Sequence, residues 1–261
     1  MDLALSGQTA IVTGASRGIG RAIVDVLLDE GVAVVANHFG DVDGAAKLER
    51  DHAALASRLR LVDADVGQRE TGRDLTEIAL GEFGRIDVLV HNAGITTRQD
   101  IVDTPYGEWE RVLHTNLYGA YHCATAVARA MRSAKTGGSL IAISSLHGRV
   151  AKAGMGAYCT SKAAIDMMFR QLAVELAPYG IRANTIAPGT IDTGMNPVYH
   201  ATDADSVAKR ERLFDRVPMR RLGRVEDIAR LVAFVASPVS AYTTGTTIYA
   251  DGGYTADGTP R

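Results

Sequence analysis

Cysteine is scarce in this sequence, and its cysteines do not form the patterns that disulfide frameworks and zinc sites need. The chain of 261 residues contains only Cys123 and Cys159, with no CxxC pair and no histidine in ligand spacing. Disulfide-rich secreted proteins and structural zinc sites depend on such patterns. We therefore expect both residues to be reduced thiols in packed helices, and we expect no metal site.

The sequence also lacks an excess of one charge and any long apolar run. Lys and Arg number 28 against 30 Asp and Glu, a net charge of −2, without a long block of like charge. Nucleic acid and anionic membranes are therefore not expected as partners. No run approaches the roughly 18 apolar residues of a membrane helix, and residues 1–8, MDLALSGQ, lack the positive region of a signal peptide. We expect a soluble cytoplasmic protein.

What the sequence does contain is a regular alternation of two patterns. Short runs rich in β-branched residues lie at 9–14, 32–37, 60–65, 86–92, 139–144, 182–187 and 246–251. Segments with helical spacing lie between them, at 19–30, 42–57, 68–83, 107–132, 157–178 and 225–236. This alternation predicts right-handed βαβ crossovers. The predicted fold is α/β: a single-domain, Rossmann-type doubly wound parallel sheet of about seven strands with helices on both faces.

One connection is longer than this alternation requires. Residues 190–223 contain no run typical of a strand, and connections of that length are usually functional lids or mobile. Within it, four apolar side chains could close over a pocket: Val207, Leu213, Phe214 and Val217. Lys209, Arg210 and Arg212 would stay in water. We predict a substrate lid, with a purely structural excursion as the alternative.

A glycine-rich turn follows the first predicted strand. TGASRGIG at 13–20 supplies Gly14, Gly18 and Gly20 at the opening of the first helix. Such glycines allow backbone N–H groups to approach a pyrophosphate, which also lies at the positive end of the helix. A turn without a ligand is the alternative. A second segment, NAG at 92–94, ends the fourth strand at the edge where open α/β sheets bind nucleotides.

A tyrosine and a lysine lie four residues apart in YCTSK, residues 158–162. The apolar spacing that follows them predicts a helix, and residues four apart share one helical face. The phenol of Tyr158 and the ammonium of Lys162 can therefore point at one spot. Taken alone, such a pair is more often an exposed tyrosine beside a solvated lysine.

In this order and spacing the motifs resemble those of the short-chain dehydrogenase/reductase family, and the likeness covers essentially the whole chain. Further matching segments are Asp65-Val66, Asn116 in HTNLYGA, Ser144-Ser145, PGTIDT at 188–193 and DGG at 251–253. The resemblance implies one domain over 1–261. Residues 1–95 would form mainly the dinucleotide-binding half, and 96–261 the catalytic half with the lid at about 190–223.

The resemblance also implies roles for four residues. Tyr158 would be the general acid/base, and Lys162 would lower the pKa of its phenol from ~10 and bind the nicotinamide ribose. Ser145, thirteen residues before the tyrosine, would bind the reacting oxygen in preference to Ser144. Asn116 would position a water that links Lys162 to solvent.

A nicotinamide cofactor follows from the same resemblance. Its expected binding residues are Gly14, Ser16, Arg17, Gly18, Ile19, Gly20, Asn37, His38, Asp65, Val66, Asn92, Ala93, Gly94, Tyr158, Lys162, Pro188, Gly189, Ile191 and Thr193. Enzymes that prefer NAD usually place an acid at the end of the second strand, where this chain has Asn37 and His38. We interpret Asp41 and Asp43 as ordinary first-turn acids of a helix. Asn37, His38 and Arg17 can instead accommodate or pair with a 2′-phosphate. NADP is therefore favoured over NAD, and use of both is compatible with the sequence.

The substrate is the least determined feature. Thr96, His147, Met155 and Thr190 are the candidate substrate residues, with a simple surface histidine as the alternative for His147. The overall likeness to bacterial aldose 1-dehydrogenases of the glucose and rhamnose type implies oxidation of a cyclic sugar at C1 to a lactone. Met155 is apolar where a sugar pocket would offer a polar group, so a 3-oxoacyl-thioester reductase or another ketone reductase is the alternative. A non-catalytic dinucleotide sensor is a third hypothesis, which the intact tyrosine and lysine disfavour.

The helical segments at 107–132 and 157–178 carry more apolar residues than one buried stripe requires. Excess apolar surface suggests burial against further copies of the chain. The family resemblance adds the expectation of a homotetramer that uses these two helices.

Overall fold

The predicted short runs form strands, and the strands pair into one parallel sheet. A computed structural model describes residues 2–194 and 197–257 of the chain. Within them, seven strands are ordered β3-β2-β1-β4-β5-β6-β9. Their bounds are β1 Thr9–Val12, β2 Ala33–His38, β3 Leu59–Asp63, β4 Val88–His91, β5 Gly138–Ile143, β6 Ile181–Pro188 and β9 Thr247–Ala250.

Helices cover both faces of this sheet. They are α1 Gly18–Asp29, α2 Val42–Asp51, α3 Thr71–Phe83, α4 Tyr106–Leu113, α5 Gly119–Ala134, α6 Gly156–Leu176, α7 Ala204–Phe214 and α8 Val225–Ala236. The α1 and α8 helices pack together on one face, whereas α3, α5 and α6 cover the other. The predicted α/β fold of Rossmann type is confirmed.

The strands are apolar on both faces because each alternates between two cores. In β1, Ala10 and Val12 pack under α1 and α8, while Ile11 between them packs under the opposite helices. The same alternation recurs at Val88, Leu89 and Val90 in β4. Successive side chains of a strand point to opposite faces, so a parallel sheet covered on both sides needs continuous apolar runs.

Two elements differ from the sequence-based prediction. The segment predicted as one helix over 107–132 is α4 and α5 joined by a π-helical turn at His114–Tyr118. The lid segment, residues 190–223, was predicted to have no strand. It contains β7, Ile191–Asp192, which pairs in parallel with β8, Gly223–Arg224. Two-residue strands fall below the length at which periodicity in a sequence is visible.

The lid segment is anchored at both ends and carries one longer helix between them. The β7–β8 pair joins its two ends, and Met219 N–H donates to the carbonyl of Gly252 at 3.1 Å. The α7 helix lies between these anchors and has one buried residue, Ser206. Met195 and Asn196, which belong to the predicted lid, lie outside the described residues. Among the described residues, no helix is long and apolar enough to cross a membrane.

The strand order reverses between β1 and β4. The chain runs outward through β2 and β3 on one side, and through β5, β6 and β9 on the other. The loops that leave the carboxyl ends of β1 and β4 therefore diverge and leave a crevice, which is where open α/β sheets bind ligands.

Candidate active site

The glycine-rich loop after β1 forms one wall of this crevice. Gly14 and Gly18 have positive φ angles of 62° and 57°. A Cβ atom on Gly20 would lie 2.0 Å from the carbonyl oxygen of Gly14, so a side chain at this position would push the loop away from α1. The glycines therefore bring the loop backbone and the N-terminus of α1 to one surface. That surface suits a pyrophosphate, because backbone N–H groups and the helix dipole both favour negative charge.

The NAG segment after β4 is tied to the same loop. The amide nitrogen of Asn92 donates to the carbonyls of Thr13 and Gly14, at 3.1 and 2.9 Å. In return, the Thr13 hydroxyl accepts from the backbone N–H groups of Asn92 and Ala93, both at 3.0 Å. The two loops, separated by almost eighty residues of chain, therefore form one rigid wall.

A cavity of about 490 Å³ opens between these loops and the end of β2. The predicted cofactor residues that line it are Gly14, Ser16, Arg17, Gly18, Ile19, Asn37, His38, Asp65, Val66, Asn92, Ala93, Gly94 and Thr193. Gly20 lies beneath the loop and does not line the cavity. The glycine cradle and the size of the cavity fit the dinucleotide of a nicotinamide cofactor.

Asn37 lines this cavity, but its amide nitrogen is used elsewhere. It donates to the carbonyls of His38, Val62 and Ala64, at 3.1, 3.3 and 2.8 Å. We expected Asn37 to accommodate or pair with a 2′-phosphate, and this interpretation needs correction. A donor group with three backbone acceptors at the join of β2 and β3 is structural.

Asp41 has a second position of interest besides the helix cap that we predicted for it. It caps α2 by accepting from Gly44 N–H, as expected of a first-turn acid, yet it also lines the cavity. Its carboxylate accepts from the Ser16 hydroxyl at 2.7 Å and lies 3.9 Å from Arg17 Nε. The Ser16 hydrogen bond is the largest influence that lowers the Asp41 pKa. The Asp41 carboxylate therefore lies next to Arg17, the arginine of the glycine-rich loop.

Tyr158 and Lys162 lie on one face of α6, as their spacing predicts, and Ser145 faces them from the end of β5. The three residues line a second cavity of about 340 Å³ together with Ser144, Pro188, Gly189 and Ile191. This catalytic cavity shares Ile19, Asn92, Gly94, Ile95 and Thr193 with the dinucleotide cavity. A nicotinamide on a dinucleotide in the first cavity could therefore reach the phenol and the ammonium in the second.

Lys162 is almost fully buried, with 3% of its surface exposed. Its Nζ donates to the carbonyl of Ile143 at 2.8 Å and lies 5.6 Å from the centre of the Tyr158 ring. Burial lowers the pKa of Lys162 to about 8, and the nearby Asp166 carboxylate opposes this shift. The ammonium is thus held by backbone and poised to titrate in the range where enzymes work.

The pKa of Tyr158 moves in the direction opposite to our expectation. Burial raises it, and the Ser145 side chain works against that rise. We expected the lysine ammonium to lower it. The Lys162 ammonium is directed at the Ile143 carbonyl rather than at the phenol oxygen, so desolvation dominates.

Asn116 is fully buried in the π-helical turn, and both atoms of its side-chain amide form hydrogen bonds. The Oδ1 atom accepts from Ile95 N–H at 2.8 Å, and Nδ2 donates to the Ile95 carbonyl at 3.0 Å and to Ser161 Oγ at 2.9 Å. This side chain holds the loop that follows Gly94 against α6.

The four predicted substrate residues do not all line the same cavity. Thr96 and Met155 line the catalytic cavity, whereas Thr190 lines a neighbouring one, of about 350 Å³, under the lid segment. His147 lines neither, which corrects our prediction. Its Nδ1–H donates to the carbonyl of Val150 at 2.9 Å, so the ring is directed into its own loop. Burial lowers its pKa, which keeps it neutral.

Sequence reasoning missed several residues of the dinucleotide cavity. Phe39, Asp41, Arg111 and Thr115 all line it. Phe39 and Asp41 follow β2 directly, and their position after the strand could have indicated them. Arg111 and Thr115 belong to α4 and the π-helical turn, and nothing in their local sequence marks them.

Comparison with known proteins agrees with this geometry. A family model described as enoyl-(acyl carrier protein) reductase matches residues 14–255. The chain is 39% identical over 252 residues to an L-rhamnose 1-dehydrogenase (NAD(P)(+)) of Azotobacter vinelandii, covering 95% of this chain and 97% of that protein. It is 35% identical over 246 residues to a 3-oxoacyl-[acyl-carrier-protein] reductase of Staphylococcus epidermidis, covering 94% of this chain and 98% of that protein.

A solved structure is similar over the same length. A short-chain type dehydrogenase/reductase from Mycobacterium marinum superimposes with a TM-score of 0.87 at 34% sequence identity, covering 98% of each chain.

Proposed function

Because this chain belongs to the short-chain dehydrogenase/reductase family, we propose that its substrate is an aldose, oxidised at C1 to the lactone. The protein is an NAD(P)-dependent oxidoreductase that acts on CH–OH groups, transferring hydride between a nicotinamide and a carbonyl or hydroxyl carbon. The 39% identity to the L-rhamnose 1-dehydrogenase supports the sugar substrate.

One observation carries the proposal: the Tyr158 phenol, the Lys162 ammonium and the Ser145 hydroxyl line a single cavity that continues into the dinucleotide cavity. The bound nicotinamide supplies the hydride acceptor for C1. Tyr158 takes the proton of the C1 hydroxyl, and Ser145 donates to the same oxygen as it becomes a carbonyl. Lys162 holds the ribose beside them and takes part in passing the proton on.

The direction of the Tyr158 pKa shift gives this chemistry a pH dependence. Burial raises the pKa, so the phenol is protonated near neutral pH. Oxidation needs the phenolate as base, whereas reduction needs the phenol as acid. Aldose oxidation should therefore accelerate as the pH rises above neutral, while the reverse reaction slows.

Turnover assays test the proposal. The near-ultraviolet absorbance of the reduced cofactor would be followed with aldoses, secondary alcohols and ketones. Tyr158→Phe should reduce kcat by roughly 100-fold or more, because proton transfer typically contributes 10²–10⁴-fold, with cofactor affinity unchanged. Tyr242→Phe makes the same change at a fully exposed residue before β9 and should have no effect. Retention of full turnover in Tyr158→Phe would remove Tyr158 from this role.

A 3-oxoacyl-thioester or other ketone reductase is the second candidate. Met155 supports it, because this apolar side chain lines the catalytic cavity, and so does the 35% identity to the acyl-carrier-protein reductase. Reduction of 3-oxoacyl thioesters without any aldose oxidation would favour this candidate. Cofactor binding without turnover of any substrate would favour a dinucleotide sensor.

We further propose that NADP is preferred over NAD and that both are used. Arg17 is exposed at the rim of the dinucleotide cavity, with 69% of its side chain accessible, and can pair with a 2′-phosphate. The Asp41 carboxylate beside it can accept from a free 2′-hydroxyl and repels a phosphate. Arg17 thus favours NADP whereas Asp41 favours NAD, and this combination supports the use of both cofactors.

Two substitutions separate these effects. Arg17→Ala should weaken NADPH binding roughly tenfold and NADH binding little. Asp41→Asn should strengthen NADPH binding, and it leaves the helix cap in place because asparagine also caps well. Dissociation constants from cofactor fluorescence measure both. Equal changes for the two cofactors in either variant would contradict the assignment.

We also propose a homotetramer built on α5 and α6. Half of the apolar residues that prompted this prediction, such as Ala124 and Phe169, are buried within the chain. The remaining support is an exposed apolar surface on α4, the π-helical turn, α5 and α6, comprising Tyr106, Tyr118, Tyr121, Met167 and Val174.

A further inference from the structure

The serine of the YCTSK segment has no part in the chemistry proposed above. Ser161 lies next to Lys162 on α6 and is fully buried. Its hydroxyl donates to the carbonyl of Tyr158 at 2.7 Å, and its oxygen lies 2.9 Å from Nδ2 of Asn116. Ser161 therefore joins the helix that carries the phenol and the ammonium to the π-helical turn.

Hydrogen-bond accounting fixes the direction of the contact between Ser161 and Asn116. A hydroxyl has one proton, and the Tyr158 carbonyl accepts it. Towards Asn116 the Ser161 oxygen can then only accept, so the amide must present its nitrogen. The other contacts of the amide agree, because Oδ1 accepts from Ile95 N–H and Nδ2 also donates to the Ile95 carbonyl. The reverse orientation would place the amide nitrogen against an N–H group, and the amide oxygen against two oxygens without a free proton.

The orientation of this amide matters because Ile95 belongs to the loop between the two cavities. Ile95 lines both the dinucleotide cavity and the catalytic cavity. Asn116 pairs with both backbone groups of Ile95, as a neighbouring strand would. Ser161 is the third partner of the amide and determines which way it faces.

The same loop lies directly against the Lys162 ammonium. A Cβ atom on Gly94 would come within 3.3 Å of Asn116 Oδ1 and 3.4 Å of Lys162 Nζ, so the loop approaches both groups closely. On its other side, Nζ donates to the Ile143 carbonyl at 2.8 Å. A shift of the loop away from α6 would therefore widen the gap between Gly94 and Lys162, because the ammonium is held by its own acceptor.

We propose that Ser161 is a positioning residue that sets the spacing between the NAG segment and the Lys162 ammonium. Its hydroxyl orients the Asn116 amide, and the amide holds the backbone of Ile95. Ser161 itself lines neither cavity, so it acts on the reaction through Asn116. The inference rests on the proposed function, because its kinetic consequence is an effect on hydride transfer.

Ser161→Ala removes the hydroxyl, and Ser240→Ala is its matched control. Ser240 is a buried serine after α8 whose hydroxyl contacts the carbonyls of Val235 and Ser237. Neither Ser240 nor its partners line the two cavities. Both variants lose a buried, hydrogen-bonded hydroxyl, so we expect a similar fall in Tm. A kinetic difference between them then reports the position of the loop rather than the stability of the fold.

In Ser161→Ala, kcat for aldose oxidation should fall roughly tenfold, the equivalent in rate of one buried hydrogen bond. The dissociation constant of NADPH should be unchanged, because the bonds of Thr13 that hold the glycine loop are not touched. The primary isotope effect with an aldose deuterated at C1 should increase as hydride transfer slows. Ser240→Ala should leave these values unchanged. Equal losses of kcat in the two variants, or a loss of cofactor affinity in place of kcat, would overturn the proposal.

A double-mutant cycle tests whether Ser161 acts through Asn116. The Ser161→Ala substitution should lower kcat roughly tenfold in the wild type and by less than about twofold in an Asn116→Ala background, because the amide that it orients is then absent. Equal factors in the two backgrounds would show that Ser161 acts independently of Asn116, against the proposal. Ser161→Cys, whose thiol is a weak hydrogen-bonding group, fills the same space and replaces Ser161→Ala throughout if that variant does not fold.

Hydrogen exchange of the Ile95 amide, followed by NMR, gives a readout that needs no substrate. Ile95 N–H is bonded to Asn116 Oδ1, so its exchange should be slow in the wild type and roughly tenfold faster in Ser161→Ala. Ser240→Ala should not change it. Unchanged exchange of Ile95 in Ser161→Ala would overturn the proposal. Absence of turnover in the wild type with every substrate would instead refute the proposed function, and Ile95 exchange would still decide the role of Ser161.

Discussion

At the scale of single residues, the buried lysine beside Tyr158 lowers the stability of the fold. The pKa of Lys162 is about 8 in the folded protein against an ordinary value of 10.5. Between these values the unfolded chain binds a proton that the folded chain does not, so stability rises with pH across that range. Below about pH 8, the buried lysine lowers the free energy of unfolding by its full amount, about 3 kcal/mol, since a pKa shift of one unit corresponds to about 1.4 kcal/mol.

We therefore predict that Lys162→Met removes this pH dependence. The free energy of unfolding of the wild type, measured by denaturant titration, should rise from pH 8 to pH 10.5, while that of the variant should not show this rise. The two proteins are compared by the slope of the free energy of unfolding against pH. The absolute value also changes, because the variant loses the hydrogen bond from Lys162 to the Ile143 carbonyl. Lys209→Met changes an exposed lysine and should keep the wild-type slope. Parallel slopes in all three proteins would show that Lys162 is not desolvated in solution.

His91 adds a dependence of the same sign at acid pH. Its folded pKa of about 3 lies below the ordinary 6.5. The unfolded chain takes up the proton first, so stability falls as the pH drops below 6.5. Both buried groups therefore make the fold more stable as the pH rises, and a rising pH also increases the fraction of Tyr158 that is ionised to the phenolate base.

At the scale of elements, the lid segment is hydrogen-bonded to the rest of the chain at its ends, whereas the residues between those ends are loosely packed. The β7–β8 pair and the contact between Met219 and Gly252 hold its ends. Between them, Arg210 is partly buried and donates to the carbonyls of Val198, Tyr199 and Ala201. We expected Arg210 to stay in water. Backbone carbonyls of the turn before α7 bind it instead, so the segment is folded on itself rather than onto the sheet.

We predict that residues 197–214 exchange amide hydrogens fastest among the described helical regions, and that they gain protection when cofactor and substrate are both bound. The physical reason is that α7 buries only Ser206, whereas α1 buries six residues, and local opening follows buried contact. Hydrogen exchange with mass spectrometry, with α1 as the internal reference, measures this. Full protection without ligands would mean that the fixed wall around Ile95 to Thr97 sets the substrate.

At the scale of the whole molecule, the helices of one face leave apolar side chains uncovered. Tyr106, Met167 and Val174 are exposed by 74%, 60% and 74% on α4 and α6. The described part of the chain leaves most of the surface of these side chains uncovered, and solvent-exposed apolar surface of this kind commonly marks an interface. Its position on paired helices suits a symmetric contact between copies.

We predict a mass by light scattering of four times the 27.7 kDa of one chain. Combined Met167→Glu and Val174→Glu substitutions should shift the mass toward smaller species, because they bury charge in the proposed interface. Leu80→Glu introduces the same charge at an exposed apolar residue of α3 and should leave the mass unchanged. A wild-type mass of one chain at micromolar concentration would contradict the proposed assembly.

The sequence alone determined the order of strands and helices, the glycine cradle and the shared face of Tyr158 and Lys162. Each depends on short-range rules: period-two and period-3.6 spacing, the conformational freedom of glycine, and the proximity of residues four apart in a helix. Those rules also account for the errors, because the two-residue strand β7 and the π-helical turn at His114–Tyr118 are too short to leave a periodic signal.

Only the tertiary structure decided how the site residues are partnered. The Asn37 amide donates to backbone carbonyls 25 and 27 residues away in sequence. His91 forms a hydrogen bond with Thr13, which is 78 residues away. The sign of the Tyr158 pKa shift depends on burial and on where Lys162 finds its acceptor. Desolvation and hydrogen-bond partners arise from contacts that packing creates between distant segments. The identities of the reactive groups can therefore be read along the chain, whereas their charge states and partners exist only in the fold.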